Sequence, residues 1–290
     1  MNNIAIIGLP RSGTSLVANL IRSGGFNPSP NVKAKFFGSS DMNLDGYFED
    51  VEFILLNDQL MRQRHRSFSN ISFLNPPEFI INEFSIENDF KYDIDEDSLD
   101  VPELYQENLS KYFSDGKDWW GLTNMYPGKK WYQAYRKFEL DSAVKIRNKL
   151  TLYKNFLKNS KSPTFLKDPR LTFTLDYYGD LFQKVIWVER SNAESHLKSL
   201  KRHYGNNFLN DDHEYGFEWS INHFNYKPLP ITYSEFISRY MNYKNKYELS
   251  LGARFLKVDY DDLISADNKK IVNHLENFIN NDIDKDLIRK

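Results

Sequence analysis

The sequence contains no cysteine. Disulfides, thiolate catalysis and cysteine-ligated zinc are excluded on that ground alone. No apolar run approaches the roughly 20 residues that a membrane-spanning helix needs. The first apolar stretch opens at Ile4, which leaves no room ahead of it for a signal peptide, so the expectation is a cytoplasmic chain without a transmembrane segment. An excess of one charge is missing as well. Lys and Arg number 38 against 40 Asp and Glu, a net charge of −2, so bulk electrostatics gives no reason to expect a nucleic-acid partner. No internal repeat or low-complexity tract breaks the 290 residues, a length that suits one domain, 1–290, with a sizeable core.

What is present begins with MNNIAIIGLPRSGTS. Ile4 to Ile7 is a short β-branched apolar run and reads as a buried strand. Gly8 to Ser15 turns the chain, and Leu16, Val17, Leu20 and Ile21 then lay one apolar stripe along a helix that Gly24-Gly25 stops. Strand, glycine loop and helix in that order make a phosphate cradle, because loop N–H groups and the positive end of the helix dipole face the anion together. Gly8, Gly13 and Ser15 fit the pattern G-x-x-x-x-G-K-[ST], but Thr14 fills the lysine slot. The cation comes earlier, at Arg11, after Pro10. A nucleoside triphosphatase needs that lysine on its β- and γ-phosphates, so its loss argues against ordinary ATP chemistry. PRSGTS after a strand resembles the 5′-phosphosulfate loop of the sulfotransferases, which use 3′-phosphoadenosine 5′-phosphosulfate (PAPS). The plainer reading is a structural turn.

Residues 26–40, with Pro28, Pro30 and Gly38, read as a loop, and the stretch from Asn43 to Met61 carries a helix face of Phe53, Leu56 and Leu60 with Asp50 near its start. Gly46, Tyr47, Glu49 and Asn57 resemble a segment that bacterial sulfotransferases carry after their first helix; the alternative for Glu49 is a charged helix start. Arg62, Arg64, His65 and Arg66 read as a solvated helix end. From about 67 to 138 the chain turns acidic, breaks at Pro76-Pro77, and becomes aromatic around Trp119, Trp120 and Trp131. The expectation is an inserted lid or substrate wall, with the aromatics forming either a satellite core or a binding surface. Residues 139–159 then read as an amphipathic helix carrying Leu140, Val144, Leu150 and Leu157.

Thr164 to Leu166 reads as a strand ending in Lys167-Asp168-Pro169-Arg170, and Lys184 to Val188 as a second ending in Glu189-Arg190. A helix follows from about Asn192, with Leu197, Leu200 and Tyr204 on one face. This block resembles the bacterial sulfotransferase core. Arg190 with a serine in the next helix resembles that family's 3′-phosphate site; Ser199 stands one residue beyond the usual spacing, and Ser195 shares its helix face. Phe255 to Val258 forms a further strand whose Tyr260-Asp261-Asp262-Leu263 ending again resembles the family, and Asn268 to Ile279 closes as a helix. The basic Arg-Lys-Gly motif of animal cytosolic sulfotransferases is absent.

Strands alternating with helices predict an α/β fold, a parallel β-sheet flanked by helices on both faces, in the three-layer arrangement related to P-loop kinases. Ligand belongs at the carboxyl ends of the strands, where Gly8, Lys167 and Arg190 fall. The resemblance implies sulfuryl transfer from PAPS to a hydroxyl or amine of a small-molecule, carbohydrate or lipid acceptor, with no metal. It implies that Pro10, Arg11, Ser12, Gly13, Thr14 and Ser15 hold the phosphosulfate, and that Arg11 and Lys167 carry the charge that develops. Arg190 and Ser199 would hold the 3′-phosphate. Glu49 is the first choice for the base, with Asp168 and His196 as alternatives. Two rival readings are a P-loop nucleotide kinase or NTPase, with Lys257-Val258-Asp259 as its second motif, and a catalytically silent nucleotide-binding protein.

Overall fold

The structure, a computed structural model, describes residues 2–34, 36, 47–65, 143–204 and 232–289. Its frame is a parallel sheet of four strands: β1 (Asn3–Gly8), β2 (Thr164–Lys167), β3 (Lys184–Glu189) and β4 (Phe255–Asp259), in the order β2-β1-β3-β4. Gly8 lies level with Val188, and Glu189 level with Asp259, so β1, β3 and β4 end close together, while Lys167 ends β2 level with Ile6, two residues earlier. β1 and β2 are buried along their whole length, which is why they read as unbroken apolar runs rather than alternating ones.

Alternate residues serve two separate cores, as the period of two requires. Ala5, Ile7, Leu166, Val185 and Trp187 face one way, and Ile4, Ile6, Phe165, Ile186, Val188 and Val258 the other. Among the described residues the α-helices, in chain order, are α1 (Thr14–Ser23), α2 (Val51–His65), α3 (Ala143–Asn159), α4 (Leu171–Thr174), α5 (Ala193–Tyr204), α6 (Tyr233–Leu251), α7 (Tyr260–Ile264) and α8 (Lys269–Ile279). Residues of α2, α3, α4 and α6 complete the first core, and those of α1 and α8 complete the second. The molecule is therefore an α/β protein with a parallel sheet flanked by helices, as its sequence predicts.

All four expected strands lie where the sequence puts them, and α1 ends on Gly24. α6 has no counterpart in the sequence reading. Its signals are a capping box, in which Thr232 accepts from the Glu235 N–H, and a face of Phe236, Tyr240, Tyr243 and Tyr247. The expected insertion at 67–138, with Trp119, Trp120 and Trp131, lies outside the described residues, as do Gly38, Gly46, Arg66 and Leu140. No described helix is long and apolar enough to cross a membrane.

Candidate anion-binding and transfer site

The loop after β1 is held from several sides. Gly8 has φ 132 and meets β3 so closely that a Cβ would collide with the Val188 carbonyl oxygen. Its N–H donates to the Thr172 hydroxyl of α4 at 3.2 Å. The Ser12 hydroxyl is fully buried and turned into the loop, donating to the carbonyls of Leu9 (2.6 Å) and Val188 (2.9 Å). It braces the loop rather than facing outward. Arg11 takes φ 62, a left-handed conformation rarely adopted by residues with a Cβ, and its buried Nε has no hydrogen-bond partner among the described residues.

α1 starts from Gly13, which has no side chain to cap it, and no acidic residue stands in its first turn. Its first N–H groups are thus left for an incoming anion, in line with the helix dipole. Gly13 has φ 91, and a Cβ there would run into the Tyr260 ring.

Lys167, at the carboxyl end of β2, is only 3 % exposed. Its ammonium is ion-paired with Glu49, donates to the Ser15 hydroxyl at 3.2 Å, and lies 5.8 Å from the Tyr47 ring centroid. Three expected site residues from distant parts of the chain therefore meet at the mouth of the loop. Glu49 is placed by its neighbour. Asp50 accepts from the Glu52 N–H (3.2 Å) at the start of α2, and also from the Ser29 hydroxyl (2.7 Å) and the Tyr153 hydroxyl of α3 (3.0 Å). Burial raises the pKa of both Asp50 and Tyr153.

Asp168 is fully buried and accepts from Asn57 Nδ2 (2.9 Å), the Arg170 N–H (3.0 Å) and Arg170 Nη1 (3.2 Å). Burial pushes its pKa up to about 6 against the opposing pull of Arg170. Asn57 in turn accepts from Thr174 (2.8 Å) and Tyr178 (3.0 Å). Asp168 and Asn57 form a closed polar layer beside Lys167, with no surface for an acceptor to reach. His196 is equally enclosed: its Nε2 lies 2.9 Å from the Pro10 carbonyl and its Nδ1 2.9 Å from the Tyr233 hydroxyl. Burial lowers its pKa to about 4. Of the three carboxylate or imidazole groups considered for the base, Glu49 alone has exposed surface, 12 % of its side chain.

Arg190, just past β3, is fixed on three sides. Its Nε donates to Asp261 at 3.3 Å, its Nη2 to the Ser195 hydroxyl at 2.6 Å, and its guanidinium lies 4.7 Å from the Tyr260 ring centroid. Ser195, and not Ser199, is thus the serine brought to Arg190. The reason is local: Asn192 Oδ1 caps α5 by accepting the Ser195 N–H at 2.9 Å, and this sets Ser195 on the turn nearest the strand end. The other Arg190 nitrogen, Nη1, makes no hydrogen bond among the described residues. Asp259 accepts the N–H groups of Asp261 (2.9 Å) and Ser191 (3.3 Å), so its carboxylate caps α7. Tyr260 touches both Gly13 and Arg190 and links the loop to the β3 end. Tyr260 and Asp261 stood in the sequence as a family-like ending, without a role; only their approach to residues far away in the chain gives them one.

Compared with known proteins, the chain matches no family model and no curated protein. Among solved structures it aligns with the sulfotransferase STF1 from Mycobacterium tuberculosis H37Rv. The TM-score is 0.37 and the identity 15 %, over 99 % of this chain and 69 % of that one. Among the described residues, no three His, Asp or Glu side chains are grouped so as to hold a metal ion.

Proposed function

We propose that the chain is a PAPS-dependent sulfotransferase, built as one domain with residues 67–138 as the wall of its acceptor site. The observation that carries this reading is the position of Lys167, buried between the Ser15 hydroxyl of a loop without a Walker lysine and the Glu49 carboxylate. The described residues fit the co-substrate. An uncapped helix start and the Arg11 Nε, without a partner among the described residues, offer donors at one end, and Arg190 with Ser195 offers them at the other. These would receive the 5′-phosphosulfate and the 3′-phosphate respectively.

PAPS supplies a sulfuryl group already activated on a phosphate leaving group. Glu49 takes the proton from the acceptor hydroxyl or amine as that atom bonds to sulfur and the bond from sulfur to the bridging phosphate oxygen breaks. Lys167 exchanges its contact with Glu49 for the transferring oxygens, which frees the carboxylate as charge moves. Arg11, with the N–H groups of Gly13, Thr14 and Ser15, steadies the negative charge left on the phosphate. Pro10 and Ser12 act through the shape of the loop.

A thermal-shift comparison of adenosine 3′,5′-bisphosphate with ATP and magnesium tests the nucleotide part. The bisphosphate should stabilise the protein more, and the reverse order would favour a kinase. Single-turnover transfer of labelled sulfate from PAPS to a panel of hydroxyl and amine acceptors tests the chemistry. Tight nucleotide binding with no transfer to any acceptor would favour the silent protein.

A further inference from the structure

Pro10 has no N–H, and its carbonyl points into the molecule, where His196 Nε2 meets it at 2.9 Å. A carbonyl only accepts, so Nε2 carries the hydrogen. The other ring nitrogen then has a lone pair, which takes the Tyr233 hydroxyl proton at 2.9 Å. His196 is fully buried in α5, and the two atoms it joins belong to the loop after β1 and to the first residue of α6. The charged and titratable groups around the ring are Arg11 on the loop, Arg190 past β3, Asp261 on α7 and Tyr233 on α6. Burial and the two guanidinium groups nearby favour a neutral ring, and the Pro10 carbonyl, which can only accept, selects its tautomer.

The Pro10 carbonyl belongs to the same peptide unit as the Arg11 N–H. Arg11 itself sits at φ 62, a conformation that its neighbours must enforce. Among the described residues, Pro10 has this one carbonyl partner, while Gly8 and Ser12 are tied down by Thr172, Leu9 and Val188. We propose that His196 is a positioning residue: as its Nε2–H tautomer, with Tyr233 bonded to the other ring nitrogen, it pins the Pro10–Arg11 peptide and so keeps Arg11 and the loop in the shape that receives an anion. The inference rests on the reading of this loop as an anion cradle. It also removes His196 from the choice of base, since both nitrogens are committed.

The test uses the full chain and the variants His196→Phe, His196→Gln and Tyr233→Phe. Three quantities are read: backbone amide exchange at Leu9 and Ser12, the loop amides that bond to Val188 and Leu9, against that of β1 and β3, the imidazole nitrogen shifts of nitrogen-labelled protein, and affinities for 5′-AMP and adenosine 3′,5′-bisphosphate. In His196→Phe, exchange at Leu9 and Ser12 should rise about tenfold with β1 and β3 unchanged, as one buried carbonyl loses its partner. Both nucleotides should weaken by about the same tenfold factor, because the loop holds the 5′ end that they share. His196→Gln places an amide donor near the Nε2 position and should recover most of both losses. The wild-type ring should show one protonated nitrogen, Nε2, and one bare nitrogen whose signal moves in Tyr233→Phe. Unchanged loop exchange in a folded His196→Phe, a glutamine variant no better than phenylalanine, or a proton on Nδ1 would each overturn the assignment. If His196→Phe does not fold, the glutamine and Tyr233 variants with the wild-type ring spectrum decide it. If the wild type binds neither nucleotide, the sulfotransferase reading falls, while exchange and ring tautomer still decide the role of His196.

Discussion

At φ 62 an alanine pays the left-handed penalty that Arg11 pays, about 1–2 kcal/mol, and a glycine does not. Arg11→Ala and Arg11→Gly both remove the cation, so each should lower turnover by about 10²–10³-fold while weakening nucleotide binding less. They should part in stability: urea titration should find Arg11→Gly more stable than Arg11→Ala by about 1 kcal/mol. Equal stabilities would mean that the loop relaxes once the guanidinium is gone. At Arg190 the expected signature is selectivity. Arg190→Ala should weaken adenosine 3′,5′-bisphosphate strongly and 5′-AMP hardly at all, and Ser195→Ala should follow at smaller size while Ser199→Ala does nothing. Calorimetric titration of the two nucleotides checks this, and equal losses for both would assign Arg190 to the fold or to the 5′ end. Arg11, Lys167 and Arg190 are legible as candidates because each ends or follows a strand, whereas Glu49 stands before a helix and is a candidate through the resemblance alone. Their partners are not: Arg190 meets Asp261 across 71 positions and His196 meets Pro10 across 186, and no spacing rule spans such gaps.

Among the elements, α2 depends on one side chain at its start. Asp50 caps its start and also takes hydroxyl protons from Ser29 and Tyr153, so Asp50→Ala removes a cap and strands two donors. The loss should be about 2–4 kcal/mol. Because Glu49 is the preceding residue, turnover should fall more than nucleotide affinity does. Denaturant unfolding with kinetics on the same preparation would show it, and a stable, fully active Asp50→Ala would separate the cap from the site. The four strands are readable because each holds a short apolar run, Ile4 to Ile7, Phe165-Leu166, Val185 to Val188 and Phe255-Leu256, with its polar residues mostly at the ends. α6 is not, because its buried face is largely tyrosine. A hydroxyl on three of its four buried positions makes the stripe look half-polar in sequence, although in the fold Tyr247 simply donates to the Thr172 carbonyl at 2.9 Å.

For the whole molecule, two buried groups give stability opposite slopes against pH. His196 titrates at about 4 in the fold against 6.5 in the open chain, so between those values the unfolded chain holds the extra proton and stability falls as pH falls. Asp168 titrates at about 6 against 3.8, so the folded chain holds the extra proton and stability falls as pH rises. Between about pH 4 and 6 the slopes of His196 and Asp168 oppose each other in the wild type, and Asp50, whose pKa burial also raises, adds a fall in stability as pH rises. His196→Gln should expose the Asp168 slope and lose stability as pH rises through that window. The difference between wild type and variant should grow in favour of wild type by about 3 kcal/mol up to about pH 6.5. Unfolding midpoints in urea at several pH values measure it, and parallel profiles would show that His196 does not titrate low.

One property of the sheet reaches beyond the finished molecule. β1 has no partner near it in sequence; its neighbours are residues 164–167 and 184–189. A ribosome adding about 5–20 residues each second therefore leaves this apolar strand waiting on the order of ten seconds for a mate. During that interval the nascent chain exposes Ile4, Ile6 and Ile7 with nothing to cover them, which makes it a client for chaperones that bind short apolar segments. Slowing translation between codons 10 and 160 should lower soluble yield, and slowing it after codon 190 should not, because by then both partners of β1 have been made.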